Sequence, residues 1–293
     1  MCWKGSETVM IKVTADSTCD LTPELLRELD VTLTPLAVLV GEESFHDGED
    51  ITPADVFRYV EQEKKICRTA AVNVYEYHSL FEQLLETYDA VIHINISSEF
   101  SSCHQNAALA AKSFNNVYVV DSRNLSSGSG HLVYLAAQMA KQNIEASEIA
   151  KRLEDIIPRV DASFIIDKLD YLYKGGRCTG LEALGAKLFQ LKPCIEVHNG
   201  KMTVGKKYKG SFDRSLENYV KDKLKDIDDI DLTRVFITHP ACEKETVDKV
   251  RELVKSLADF QDIIETHAGC TVSSHCGPYT LGILFIRKTP KAI

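Results

Sequence analysis

Apolar runs and helical periods alternate through the first half of this chain. Residues 10–15 read as a first strand, which ends in Asp16-Ser17-Thr18. Leu21-Thr22-Pro23-Glu24 then opens a helix, with Thr22 as cap and Pro23 at the first helical position, where a missing N–H is tolerated. Residues 31–40 alternate as one strand, 41–48 turn, and Ile51-Thr52-Pro53 starts a second capped helix running to Glu61. Strands at 90–96 and 117–120 are interleaved with helices near 74–87, 101–113, 130–142 and 146–157. That alternation is the pattern of parallel strands joined by crossover helices. Strand tips in such sheets collect at one edge, where ligands bind. Asp16-Ser17-Thr18, Ser97-Ser98 and Asp121-Ser122 all fall at predicted tips.

Pro158 separates a charged helix from the apolar run 162–166, and the pattern becomes less regular beyond it. Strands are predicted at 163–166, 193–197, 201–207, 235–238, 262–266 and 280–286, with helices near 181–189, 211–224 and 243–257. Asn199-Gly200 in the middle of 195–204 predicts a hairpin with a type I′ turn, because that turn needs positive φ at both central residues. The fold expected is α/β. An N-terminal three-layer α/β/α domain with a mainly parallel sheet occupies 1–157, and a C-terminal α+β domain with a mixed or antiparallel sheet occupies 158–293.

Composition narrows the function. The 293 residues carry 34 Lys and Arg against 43 Asp and Glu, a net charge of -9, which argues against nucleic acid or an anionic membrane surface as a general partner. Any anion site must therefore be local. Nine cysteines at irregular spacings fit reduced, buried thiols better than a disulfide framework. No apolar run reaches the roughly eighteen residues that a membrane span requires, and residues 1–7 hold no apolar core for export, so a cytoplasmic location is expected.

The stretch V-I-H-I-N-I-S-S-E-F-S-S-C-H-Q-N-A, residues 91–107, joins a strand to a helix through a burst of hydroxyls. The first turn of a helix has unpaired N–H groups and a favourable dipole, so Ser97, Ser98, Ser101 and Ser102 predict either an anion cradle or a plain cap. Other motifs fail on their chemistry. The run 180–187 has no lysine after its second glycine, and Gly128-Ser129-Gly130 meets Val133 where a dinucleotide fingerprint needs a third glycine, leaving a flexible turn. His267, Cys270, His275 and Cys276 carry metal-ligand chemistry, but adjacent His275-Cys276 would point apart along a strand, and no metal is expected. Cys103 and His104 lie about 100° apart on a helix and cannot meet as nucleophile and base.

Residues 169–177, L-D-Y-L-Y-K-G-G-R, form a short helix stopped by glycines, with Arg177 on the loop beyond. The guanidinium fork suits a carboxylate or phosphate. This segment resembles the L-x-Y-L-x-x-G-G-R stretch of the DegV family, bacterial fatty-acid-binding proteins that include the FakB subunits of fatty acid kinase. Five further blocks resemble the family in the same order: residues 11–21 (I-K-V-T-A-D-S-T-C-D-L), 45–52 (F-H-D-G-E-D-I-T), 97–107, 191–195 (L-K-P-C-I) and 274–283 (S-H-C-G-P-Y-T-L-G-I).

The resemblance implies two domains enclosing one long-chain fatty acid, such as palmitate, stearate or oleate, in an apolar tunnel between them. It implies that Thr69 and Ser101 hold the carboxylate, that Arg177 lies near the head and couples to a partner kinase subunit, and that His275 stands close to the head group. No catalysis and no cofactor beyond the lipid are expected of the chain itself. Two blocks depart from the family: Thr69-Ala70-Ala71-Val72-Asn73 replaces T-S-Q-P-S, and Ser101-Ser102-Cys103-His104-Gln105 replaces S-G-T-Y-Q. Two other readings compete. One is an enzyme acting on a small anion with Asp16, Ser101 and His275, which requires a compact polar pocket; the other is a lipid-sensing regulator.

Overall fold

The computed structural model describes residues 9–179 and 191–290; the predicted helix at 181–189 and the glycine-containing run at 180–187 lie outside the described residues. Ile11–Asp16 (β1) pairs in parallel with Val31–Thr34 (β2) and with Ala90–Asn95 (β6), and β6 pairs with Val117–Asp121 (β7). The result is a four-stranded parallel sheet in the order β2-β1-β6-β7. Every residue of β6 is buried, so helices must cover both faces of this sheet. On one face lie Val74–Leu85 (α3), opened by an Asn73–Glu76 capping box, and Cys103–Ala111 (α4). On the other lie Ser126–Lys141 (α5) and Ala146–Ile156 (α6).

A seven-stranded mixed sheet follows, in the order β13-β12-β14-β8-β10-β11-β9. Its strands are Val160–Ile166 (β8), Cys178–Thr179 (β9), Leu191–His198 (β10), Lys201–Lys209 (β11), Ile230–His239 (β12), Asp262–His267 (β13) and Thr280–Arg287 (β14). Asn199 and Gly200 both have positive φ, 49° and 82°, so the β10–β11 turn is type I′ as its residues predict. Phe212–Lys223 (α8) and Lys244–Leu257 (α9) cover the outer face, while α5 packs on the inner face as well as on the parallel sheet. One apolar core therefore runs from α3 through both sheets.

That double contact explains the glycines of α5. A Cβ at Gly128 would stand 2.1 Å from Asn124 Oδ1, and one at Gly130 would stand 2.7 Å from the Cys19 carbonyl. Gly128-Ser129-Gly130 is thus the buried first turn of a helix squeezed between sheets, and the flexible turn expected there is corrected. A second correction concerns 31–40. Pro35 has no N–H to donate, and Leu36 N instead bonds Ser17 Oγ, so the run splits into β2 and Ala37–Val40 (β3). β3 leaves the parallel sheet and pairs antiparallel with Glu43–His46 (β4) and Cys67–Ala70 (β5), which the sequence reading left in loops. The third correction is at 270–276: Cys270–Cys276 is a helix (α10), not a strand, and it packs on β5, on Pro53–Phe57 (α2) and on Asp170–Gly175 (α7).

Candidate functional site

A cavity of about 390 Å³ opens where the tips of the parallel sheet face α10 and the β11 edge. Its wall includes Thr69, Ser101, Arg177 and His275, so the four residues singled out in the sequence share one space. Leu36, Ile96, Phe100, Leu125, Met202 and Val272 supply the apolar part of the wall. Leu125, Val272 and Cys276 also line a second cavity of about 30 Å³, which continues the first toward Phe164, Ala268 and Leu284. The wall of the larger cavity thus combines hydroxyl, imidazole and charged groups, Glu99 among them, with apolar side chains.

The polar end is built from three separate elements. Thr69 lies in β5, and its Oγ1 is 3.0 Å from Nε2 of His275 on α10. Burial, then the Arg177 charge, pushes the His275 imidazole down to about 4, so it is neutral at physiological pH. Its Nδ1 is buried and has no hydrogen-bond partner among the described residues. That nitrogen faces the end of α7. A Cβ on Gly175 would fall 2.4 Å from it, so only glycine lets the ring in. Gly176, at φ +64°, is the residue that stops the helix. The two glycines thus do different work, where the sequence reading gave both to capping.

Arg177 is exposed, and its Nη1 donates to the Gly175 carbonyl at 2.7 Å, which holds it at the rim. Ser101 precedes α4. Its Oγ accepts from Cys103 N at 3.3 Å and donates to Cys103 Sγ at 3.1 Å. Sulfur is a weak acceptor, so the hydroxyl is lightly held. Burial, followed by the Asp16 charge, raises the Cys103 thiol to about 12, which leaves it protonated and a poor nucleophile. Ser97 and Ser98 serve the turn: Ser97 Oγ donates to Gly200 O at 2.9 Å and Ser98 N donates to Asp121.

Asp16, proposed above as a reacting group for a small anion, is not in the cavity wall. It is 1% exposed and accepts from Tyr77 Oη at 2.7 Å, Ile96 N at 2.9 Å and Asn95 Nδ2 at 3.1 Å. A carboxylate with that many donors is a structural knot between β1, β6 and α3. Metal ligation is unfavourable at the one cluster of donors found among the described residues, His239, Glu265 and His267. His239 Nδ1 already accepts from Cys242 N, which puts the neutral ring's proton on Nε2, and Glu265 is held by Arg251. Cys270, His275 and Cys276 lie apart from His267, on α10.

Sequence reasoning missed Asp47. Its Oδ1 accepts from Cys270 N at 2.6 Å and its Oδ2 from Thr271 N at 3.0 Å, so it caps α10 from across the fold. The available signal was its place in the F-H-D-G block.

Known proteins resemble this chain along its whole length. A DegV domain-containing protein of Deinococcus radiodurans is 31% identical over 93% of this chain and 97% of its own. One from Caldanaerobacter subterraneus is 29% identical over 95% of this chain and 99% of its own. Among solved structures, a DegV family protein of Thermus thermophilus described as fatty acid binding superposes with a TM-score of 0.86, at 26% identity and over 95% of this chain and 100% of that one. A stearic-acid-binding protein of Eubacterium ventriosum gives 0.83, also at 26% identity, over 95% of this chain and 99% of that one. The pattern of the DegV family, described as uncharacterised proteins, matches residues 10–288, and the chain belongs to that family.

Proposed function

We propose that this chain binds one long-chain fatty acid, with the carboxylate at Thr69, Ser101 and His275 and the acyl chain running inward past Leu125 and Val272. The observation that carries the reading is one cavity whose wall brings the Thr69 and Ser101 hydroxyls and the His275 imidazole together with Leu36, Ile96, Leu125, Met202 and Val272. With the Nε2–H of the neutral His275 imidazole donating to Thr69 Oγ1, the hydroxyl protons of Thr69 and Ser101 are left for one carboxylate, and each charge-assisted bond contributes about 1.5–3 kcal/mol. The tail adds about 0.8 kcal/mol for each buried CH₂, so a chain of about sixteen carbons needs no ion pair to bind tightly. The two related structures described as fatty acid binding and stearic acid binding support the same ligand class.

In this reading the chain is a non-catalytic carrier in the cytoplasm. The acyl chain fills the space between a domain of residues 1–157 and one of 158–293, and Arg177 at the rim offers the head group to a separate kinase that forms acyl phosphate. Burial raises both the Cys276 thiol in the wall and the Cys103 thiol beside Ser101 to about 12, which makes each a poor nucleophile, in keeping with that division of labour. The test is direct. Protein purified from its host, denatured and extracted with organic solvent should yield fatty acid at close to one per chain by mass spectrometry. Protein that yields none and takes up none on titration with palmitate, stearate or oleate would sink the reading.

A further inference from the structure

The F-H-D-G block makes no contact with the cavity through Asp47, which is buried. Its carboxylate instead ties α10 to the Ser17 turn, and its backbone N–H reaches Leu36. Oδ1 accepts from Cys270 N at 2.6 Å; Oδ2 accepts from Thr271 N at 3.0 Å and from Ser17 Oγ at 3.1 Å. Asp47 N donates to Leu36 O at 2.9 Å, and Ser17 Oγ in turn accepts from Leu36 N at 3.2 Å. Leu36, Thr271, Val272, His275 and Cys276 all line the cavity. One side of the wall is therefore tied to Asp47, α10 through its carboxylate and Leu36 through its backbone N–H and Ser17.

The need for that carboxylate follows from α10 itself. Cys270–Cys276 has no side-chain cap from its own N-cap residue, Gly269. Its residues, C-T-V-S-S-H-C, are weak helix formers, and at seven residues it is below the length at which a helix holds itself. Asp47 supplies acceptors for two of the orphan N–H groups, and Asp20, also buried, accepts from the next, Gly269 N at 2.8 Å. Gly269 lacks a Cβ where one would stand 3.1 Å from Asp47 Oδ1 and 3.3 Å from Asp20 Oδ1, so both carboxyls reach the helix end. Asp20 is pushed up to about 8, chiefly by burial, and is neutral at pH 7, which spares the helix end a second buried charge.

We propose that Asp47 is a positioning residue for the head-group site, acting through α10 to hold His275 Nε2 against Thr69 Oγ1. The proposal rests on the fatty-acid reading for its consequence but not for its geometry. Asp47→Asn keeps the size, removes one of the two acceptors and turns an N–H₂ toward the helix N–H groups. Isothermal titration with oleate should show affinity about tenfold weaker for Asp47→Asn and comparably weaker for His275→Ala. The double variant should be no weaker than His275→Ala alone, within about twofold. A general loss of structure would instead multiply the two effects, and that result overturns the proposal.

A second readout needs no ligand. The imidazole ¹⁵N shifts of His275, assigned by their loss in His275→Ala, report the Nε2 hydrogen bond to Thr69. Asp47→Asn should move them toward a free imidazole, and unchanged shifts overturn the proposal even where the wild type binds no fatty acid. Should Asp47→Asn not fold, Ser17→Ala removes only one bond to Asp47. It should shift the same resonances by a smaller amount, and the absence of any shift counts against the proposal.

Discussion

Two polar clusters stand at the strand tips, and they differ in where their hydroxyl and amide donors are spent. Around Asp16, Tyr77, Asn95 and the Ile96 amide all donate to one buried carboxylate, and His93 packs edge-on against Tyr77. Around Thr69, Ser101 and His275 the bonds are fewer and weaker: one hydroxyl leans on a sulfur, and one buried ring nitrogen has no partner. The first cluster spends its donors on the fold. The second keeps them available, and it faces a cavity.

The largest effect expected from this contrast is on folding. Asp16→Ala leaves the buried Tyr77 hydroxyl and Ile96 amide without an acceptor and takes one partner from Asn95, and it should lower stability by about 3–5 kcal/mol, read from urea unfolding. The companion experiment is at the open cluster. Ser101→Ala and Thr69→Val should each weaken fatty acid binding by roughly 1.5–3 kcal/mol while moving the unfolding midpoint far less than Asp16→Ala does. If Ser101→Ala destabilised the chain as much as Asp16→Ala, the contrast would fail.

Acid should sharpen it further. His131 is buried, with Nε2 against Leu284 O, and like His275 it is pushed down to about 4, in both cases chiefly by burial. Both folded values lie below the unfolded value of about 6.5. Each histidine therefore contributes stability that is complete above about 6.5 and is lost as pH falls toward 4, at up to about 1.4 kcal/mol per pH unit. Asp20 runs the other way, because its folded value of about 8 lies above its unfolded one, and its contribution declines as pH rises from about 4 to 8. His131→Gln should remove one share of the acid loss, so the stability gap between wild type and variant should close as pH falls from 6.5 to 4. A gap independent of pH would mean that His131 titrates in the fold as it does in the unfolded chain.

The smallest effect concerns the rim. Arg177 is exposed, and among the described residues its guanidinium bonds only the Gly175 carbonyl of its own loop, so Arg177→Ala should leave both unfolding and fatty acid titration unchanged within error, and should weaken only coupling to the proposed kinase. A tenfold loss of fatty acid affinity in Arg177→Ala would place the guanidinium on the carboxylate instead.

Elements whose causes are local were legible before the fold was known. The Asn199-Gly200 turn follows from two residues that accept positive φ, and Thr22-Pro23 starts Pro23–Leu29 (α1) as its cap chemistry requires. Helix α10 was not legible, since its cap is Asp47, 223 residues away from Cys270. The strand break at Pro35 was missed because the alternation of 31–40 continues through it while the hydrogen-bond partners change. Of the site, the resemblance pointed to Thr69, Ser101, Arg177 and His275, and all four line the cavity. Its blocks contain Asp47 and Gly175 but give neither a role, because their importance lies in what they touch.

By itself the sequence determined the alternation of strands and helices, the hydroxyl-rich turn at Ser97–Ser102, and a charge balance that leaves room only for a local anion site. Those are properties of neighbours along the chain, fixed by propensity, capping and periodicity. Tertiary structure alone decided that Thr69 meets His275 across 206 residues, that Asp16 is sealed, and that Gly175 admits a ring. The physical reason is that burial and hydrogen-bond satisfaction depend on which distant groups arrive at the same place, and no local pattern records that.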